Sequence, residues 1–179
     1  MSRKILVLLG LVLAVGATTT QADEYPSKVI TLVVPFSAGG PTDTVARMIA
    51  QPMSKTLGQT IIVENIGGAG GTIAAARVAR ANPDGYTIFL HHIGMATSAT
   101  LYKKLPYNVL TDFEPIGLVT PVPMTIIAKQ AMGAKDVKEF ISYIKANKDN
   151  ITYGNAGVGA ASHLCGMLFM SAIDTDLTT

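Results

Sequence analysis

Only one cysteine, Cys165, stands in the 179 residues, so no internal disulfide can form and the fold must be held by a packed core. A chain of this length can supply one. Nothing near Cys165 would depress its pKa, and it reads as a small buried hydrophobe beside Leu164, Leu168 and Phe169 rather than as a reactive thiol. Long hydrophobic runs are also lacking. The apolar stretch 5–15 falls short of the roughly 20 residues an anchored membrane helix needs, and no later stretch comes closer. Charge of one sign is missing too. Removing Arg3 and Lys4 from the 14 basic residues leaves 12, against 12 acidic ones, and the only adjacent basic pair after the leader is Lys103 with Lys104. A nucleic-acid partner, which wants a basic stripe, is therefore not expected.

The signatures of several enzyme classes are absent as well. There is no G-x-S-x-G elbow, no H-E-x-x-H and no P-loop lysine motif. Ser162 beside His163 is not a triad, because neighbouring helical side chains do not face each other. His91 and His92 invite a metal, but adjacent residues at a strand end point to opposite faces and no third ligand stands at suitable spacing. No enzyme activity, metal or cofactor is expected.

What is present begins with a leader. Arg3 and Lys4 precede the apolar run, and small and polar residues follow up to Ala22, the layout of a cleaved secretory signal peptide over residues 1–22. The expected location is the periplasm, and the expected mature protein is soluble.

Residues 29–34 form a continuous β-branched apolar run, the pattern of a strand buried on both faces of a parallel sheet. A helix is expected over 42–57, with Val45, Ile49, Met53 and Leu57 on one face, Gly58 to end it and Pro52 to kink it. The cycle repeats with a strand at 60–64, a glycine loop at 67–71, a helix at 72–81, a turn at 82–85 and a strand at 86–90. That order gives an α/β lobe with a parallel sheet flanked by helices over 23–120. A short helix is expected at 98–103 and strands at 113–119 and 124–128, with Pro121 and Pro123 marking a crossing point. A second lobe then starts at 121–179, with a helix at 136–147, a strand at 151–153 and a helix opening near Ser162.

Two stretches share one design, a strand followed by a loop with little side chain and then a helix with a hydroxyl residue in its first turn. One holds Ser37, Ala38, Gly39, Gly40, Thr42 and Asp43; the other holds Gly157, Gly159, Ser162 and His163. Glycines allow close backbone approach, and a helix start offers unpaired amides at the positive end of its dipole. Carboxylates and phosphates bind there. Alternatively, such loops only turn the chain and their hydroxyls only cap helices. Two of them in different lobes would oppose each other across a cleft, with the 67–71 loop, including Gly70, completing the wall.

The run 35–43 with Ala46 and Arg47, then Gly58, Gln59, Val63, Glu64 and Asn65, then Gly68 to Gly71, resembles the periplasmic solute-binding proteins of tripartite tricarboxylate transporters. The resemblance continues through Asn82 to Tyr86, through Leu105, Pro106 and Tyr107, and through Gly157, Gly159, Ser162, His163 and Leu164. It implies a two-lobed periplasmic-binding-protein-like (type II) fold that closes on a small organic carboxylate and delivers it to membrane permease subunits, without catalysis. It carries binding roles to the residues of the two loops, Asp43 serving as a cap or water-holder because its charge would repel an anion. Ile66 and Gly67 stand where the family commonly has arginine and proline, and Met167 where it often has an acid. Family members continue past residue 179, so the second lobe is expected to be incomplete and ligand binding by this chain weak.

Two rivals remain. Glu64 ends the second strand where a dinucleotide fold places its ribose-binding acid, although Gly39, Gly40 and Pro41 break the G-x-G-x-x-G spacing. The other rival is an exported remnant that binds nothing.

Overall fold

The computed structural model describes residues 24–179; the expected leader lies outside the described residues. The central strand, β1 (Ile30–Val34), is flanked by β2 (Ile61–Asn65) and β3 (Thr87–Phe89) in the order β2-β1-β3. Both pairings are parallel, with Ile30 opposite Ile61 and Thr31 opposite Thr87. Being central, β1 is covered on both faces, which is why a run of five β-branched or apolar residues suits it. Ile30, Leu32 and Val34 face one helix layer and are at most 2% exposed, each burial stabilising by roughly 1.5–3 kcal/mol.

Helix α1 (Pro41–Leu57) covers that face. It starts with Pro41 at its first turn, where a missing N–H costs nothing, and ends at Gly58 in the left-handed conformation. The face pressed to the sheet is centred on Ala46 and Ala50, with Ile49, Met53 and Leu57 packed beside them. The helix is thus turned slightly from the Val45-to-Leu57 stripe expected from sequence, because the two alanines let its backbone approach the strands closely. It runs unbroken through Pro52, which is exposed, so solvent can serve the Met48 carbonyl that Pro52 leaves unpaired.

On the other face, α2 (Thr72–Val78) buries Ala74, Ala75 and Ala76. A second apolar cluster there gathers Ala75, Ala76 and Tyr107 with Phe89, Met95, Leu105 and Phe113. Helix α3 (Gly94–Leu101) begins four residues before the expected 98, because His92 organises its start: the Gly94 N–H bonds His92 Nδ1 at 3.0 Å and the Met95 N–H bonds the His92 carbonyl at 2.9 Å.

The expected strands 113–119 and 124–128 are not formed. Their residues are extended in composition, but a strand needs a ladder partner, and none of the described residues provides one. The expected strand at 151–153 reduces to a single parallel bridge between Thr152 and Thr178. Helix α4 (Val137–Ala146) is capped by Asp136, whose side chain accepts the Glu139 N–H at 2.8 Å. It meets α5 (Ala161–Ala172) through Phe140 and Phe169, whose rings stack 6.1 Å apart.

Candidate functional site

Beyond the carboxyl ends of β1 and β3 lies a cleft of about 500 Å³. This is where open α/β sheets place their ligands. Its walls come from five places: the loop after β1 and the start of α1 (Phe36, Ser37, Gly40, Thr42, Val45), the glycine loop after β2 (Gly67, Gly68, Gly71), the residues after β3 (Leu90, His91, His92), the extended segment with Thr120, Val122 and Met124, and the start of α5 (Ala156, Ala161, Ser162). The two helix starts read from the sequence therefore share one cavity. Among the described residues no Asp, Glu, Lys or Arg lines it.

The donors at each helix start can be counted. In α1, Pro41 has no N–H and the Thr44 N–H already bonds the Gly40 carbonyl at 2.9 Å, so the amides of Thr42 and Asp43 are the orphans of the first turn. In α5 the Leu164 N–H bonds the Ala160 carbonyl at 3.0 Å, leaving those of Ala161, Ser162 and His163. The Ser162 hydroxyl accepts from the Ala156 N–H at 3.0 Å and keeps its own proton to donate. With no charged side chain in its lining among the described residues, the cleft takes its field from the two helix starts that open onto it, whose positive ends favour an anion.

Ser37, Gly40, Thr42 and Ser162 thus line the cleft. Ala38, Gly39 and Asp43 do not; they border a shallow depression with Arg47 and Gln51 on another side of the loop. Asp43 is only 2% exposed and works as an anchor. It accepts from the Gly39 N–H at 2.8 Å, Arg47 Nε at 3.0 Å and Asn65 Nδ2 at 3.0 Å, and Asn65 Nδ2 also donates to the Phe36 carbonyl at 3.0 Å. Foremost the Arg47 hydrogen bond, then those from Gly39 and Asn65, hold its carboxyl down at about 2. The Gly39 amide is consumed in this network, so it serves the shape of the loop.

Gly70, Gly157 and Gly159 are likewise not in the wall. They are where the two halves of the site touch. A Cβ on Gly70 would overlap the Val158 carbonyl oxygen, one on Gly157 would lie 3.4 Å from the Gly70 nitrogen, and one on Gly94 would lie 2.7 Å from the Gly159 carbonyl oxygen. Tyr102 Oη bridges the same contact, 2.7 Å from both the Ala69 and Val158 carbonyl oxygens. His163 is set back, its Nδ1 accepting the Gly159 N–H at 3.3 Å.

His91 and His92 are not among the binding residues expected from the sequence. Strand β3 ends at Phe89, so strand alternation does not operate there, and both residues line the cleft, their rings 5.0 Å apart between centroids. Their adjacency just after a strand was the available signal. Among the described residues no group of three metal-binding side chains forms. Glu64 is not free to hold a ribose: Arg77 grips it with two bonds, of 2.6 and 2.9 Å.

These features can be set beside known proteins. The family model described as tripartite tricarboxylate transporter family receptor matches residues 45–178. A UPF0065 protein in the TAR-I ttuE-ttuC' intergenic region of Agrobacterium vitis is 49% identical over 177 residues, covering 99% of this chain and 51% of that protein. The periplasmic binding protein BugD superposes with a TM-score of 0.84 at 54% identity, over 87% of this chain and 52% of that one. MatC from Rhodopseudomonas palustris, solved with bound malate, superposes with a TM-score of 0.81 at 44% identity, over 86% and 53%. The chain spans about half the length of the relatives it matches. On this extent of match, and with a parallel α/β sheet that superposes on periplasmic binding proteins, the chain belongs to the tripartite tricarboxylate transporter receptor family.

Proposed function

We propose that this chain carries the carboxylate-holding cleft of a periplasmic solute receptor, which captures a small organic acid and passes it to the permease subunits of a tripartite transporter. The observation that carries this reading is a cavity lined, among the described residues, by no charged side chain, to which the first turns of both α1 and α5 contribute Thr42, Ala161 and Ser162. Such a site binds an anion through fixed dipoles without the desolvation penalty of a buried lysine or arginine. Ser37, Thr42 and Ser162 add hydroxyl donors. Malate bound to MatC, a relative of this fold at 44% identity, supports the ligand class. Export through a cleaved leader fits the periplasmic relatives.

Calorimetric titration with malate, succinate and citrate, against the uncharged dimethyl ester of malate as control, tests the reading. Heat with at least one acid and none with the ester is expected. Equal binding of acid and ester would show that the helix starts do not select charge and would overturn it. Absence of heat with every acid would overturn it for this chain.

A further inference from the structure

Among the described residues, His91 and His92 are the only titratable side chains lining the cleft, and each is locked by a backbone amide. His91 Nδ1 accepts the His92 N–H at 2.7 Å, and His92 Nδ1 accepts the Gly94 N–H at 3.0 Å. A neutral imidazole whose Nδ1 accepts must carry its proton on Nε2. His91 is wedged behind, edge-on to Phe36 at 5.7 Å and to Phe89 at 5.2 Å, and a Cβ on Gly71 would come within 2.6 Å of its Nε2. The His92 ring lies flat on Phe36, centroids 4.5 Å apart. Among the described residues no acceptor is bonded to His92 Nε2 and no side-chain nitrogen is both buried and unpartnered; because His92 lines the cleft, this N–H, on a ring fixed at both its face and its edge, is accessible to a ligand.

We propose that His92 is a specificity-determining residue that donates Nε2–H to a second oxygen-bearing group of the bound acid, a hydroxyl, keto or second carboxylate oxygen, while His91 positions it. The inference rests on the carboxylate reading of the cleft and deepens it. The helix starts hold the first carboxylate in any acid, whereas a neutral N–H donor left unpaired in the cleft costs free energy when the ligand offers only methylenes there. Burial favours the neutral form of both rings. Among the described residues, no acidic or basic side chain from α1, the 67–71 loop, the 120–124 segment or α5 lines the cleft to oppose this.

The test compares malate with butyrate, which has one carboxylate and an apolar tail. In wild-type protein malate should bind more tightly. His92→Asn keeps an acceptor for the Gly94 amide but lacks the reach of Nε2; it should weaken malate by about tenfold, the equivalent of one charge-assisted hydrogen bond, while butyrate is not weakened and, relieved of the unpaired donor, binds as well or slightly more tightly. His92→Gln, which restores a donor at that reach, should recover most of the loss. Nitrogen-15 spectra of the wild type should show His92 protonated at Nε2, with that resonance moving on adding malate and hardly at all with butyrate. Equal losses for both acids in His92→Asn, unchanged malate affinity, or a proton on Nδ1 would each overturn the proposal. If wild type binds neither acid, the carboxylate reading falls first and the role of His92 with it.

Discussion

The contact between the two halves of the site rests on a glycine, and Gly70→Ala should break it. Gly70 has φ 62° and ψ 16°, a left-handed conformation that costs an L-residue about 1–2 kcal/mol. Its new methyl would overlap the Val158 carbonyl oxygen and lie 3.0 Å from Tyr102 Oη. Moving backbone to make room for an inserted methyl typically costs about 1–3 kcal/mol. Tyr102 has one proton to share between the Ala69 and Val158 carbonyls, and losing the bridge removes about 1 kcal/mol more. The sum, roughly 3–6 kcal/mol, corresponds to a fall in Tm on the order of 10 °C for a domain of this size. Gly67→Ala, in the same loop, is the control: a Cβ there meets nothing within 4 Å and its φ is not in the left-handed range, so it should be neutral or stabilising by about 0.5 kcal/mol through the unfolded chain. Urea denaturation of both variants, with amide exchange at Val158 and Gly159, separates the outcomes. Gly70→Ala within 0.5 kcal/mol of wild type, a margin typical of uninvolved surface sites, would refute the close approach of the two loops.

Two further predictions concern pH. Asp43 titrates near 2 in the folded protein, below its ordinary 3.8, so its contribution is fully present above pH 4 and is lost as pH falls through 2; Asp43→Asn should flatten the wild-type fall in urea midpoint across that window, and an unchanged slope would show that the Arg47, Gly39 and Asn65 bonds are not made. Burial first, then the neighbouring His92, pushes His91 down to about 3 from 6.5. Between those values the unfolded chain binds the proton and the folded one does not, so stability should decline as pH falls from 6.5 toward 3; His91→Asn should remove that part of the decline, and a midpoint that tracks wild type from pH 6.5 to 4 would place His91 in solvent.

How much of this was legible in the sequence follows from how local each signal is. Strand β1, the start and end of α1, and the loop-to-helix design at Ser37 and Ser162 are written in neighbouring residues: a β-branched run, a proline at the first helical turn, a glycine just past the last one. Strands 113–119 and 124–128 failed because an apolar extended run states only what it could pair with, and pairing is a property of another segment. The same limit divided the site residues. Glycines in a loop can admit a ligand or admit another loop, and the sequence does not distinguish them; Gly40 lines the cleft, whereas Gly70 and Gly157 meet each other.

Asp43 and His92 make the complementary point about side chains. The charge of Asp43 would repel an anion, which gives it a supporting role, and the fold places it away from the cleft, spending its charge on Arg47 and on the shape of the loop. For His92, strand alternation is no guide, because β3 stops at Phe89. Its position follows instead from Gly94: the N–H of that residue needs an acceptor, the imidazole Nδ1 is the nearest, and satisfying it both opens α3 and turns the other ring nitrogen into a donor. A binding residue is thus set by a helix start, the same device that supplies the amides on either side of it.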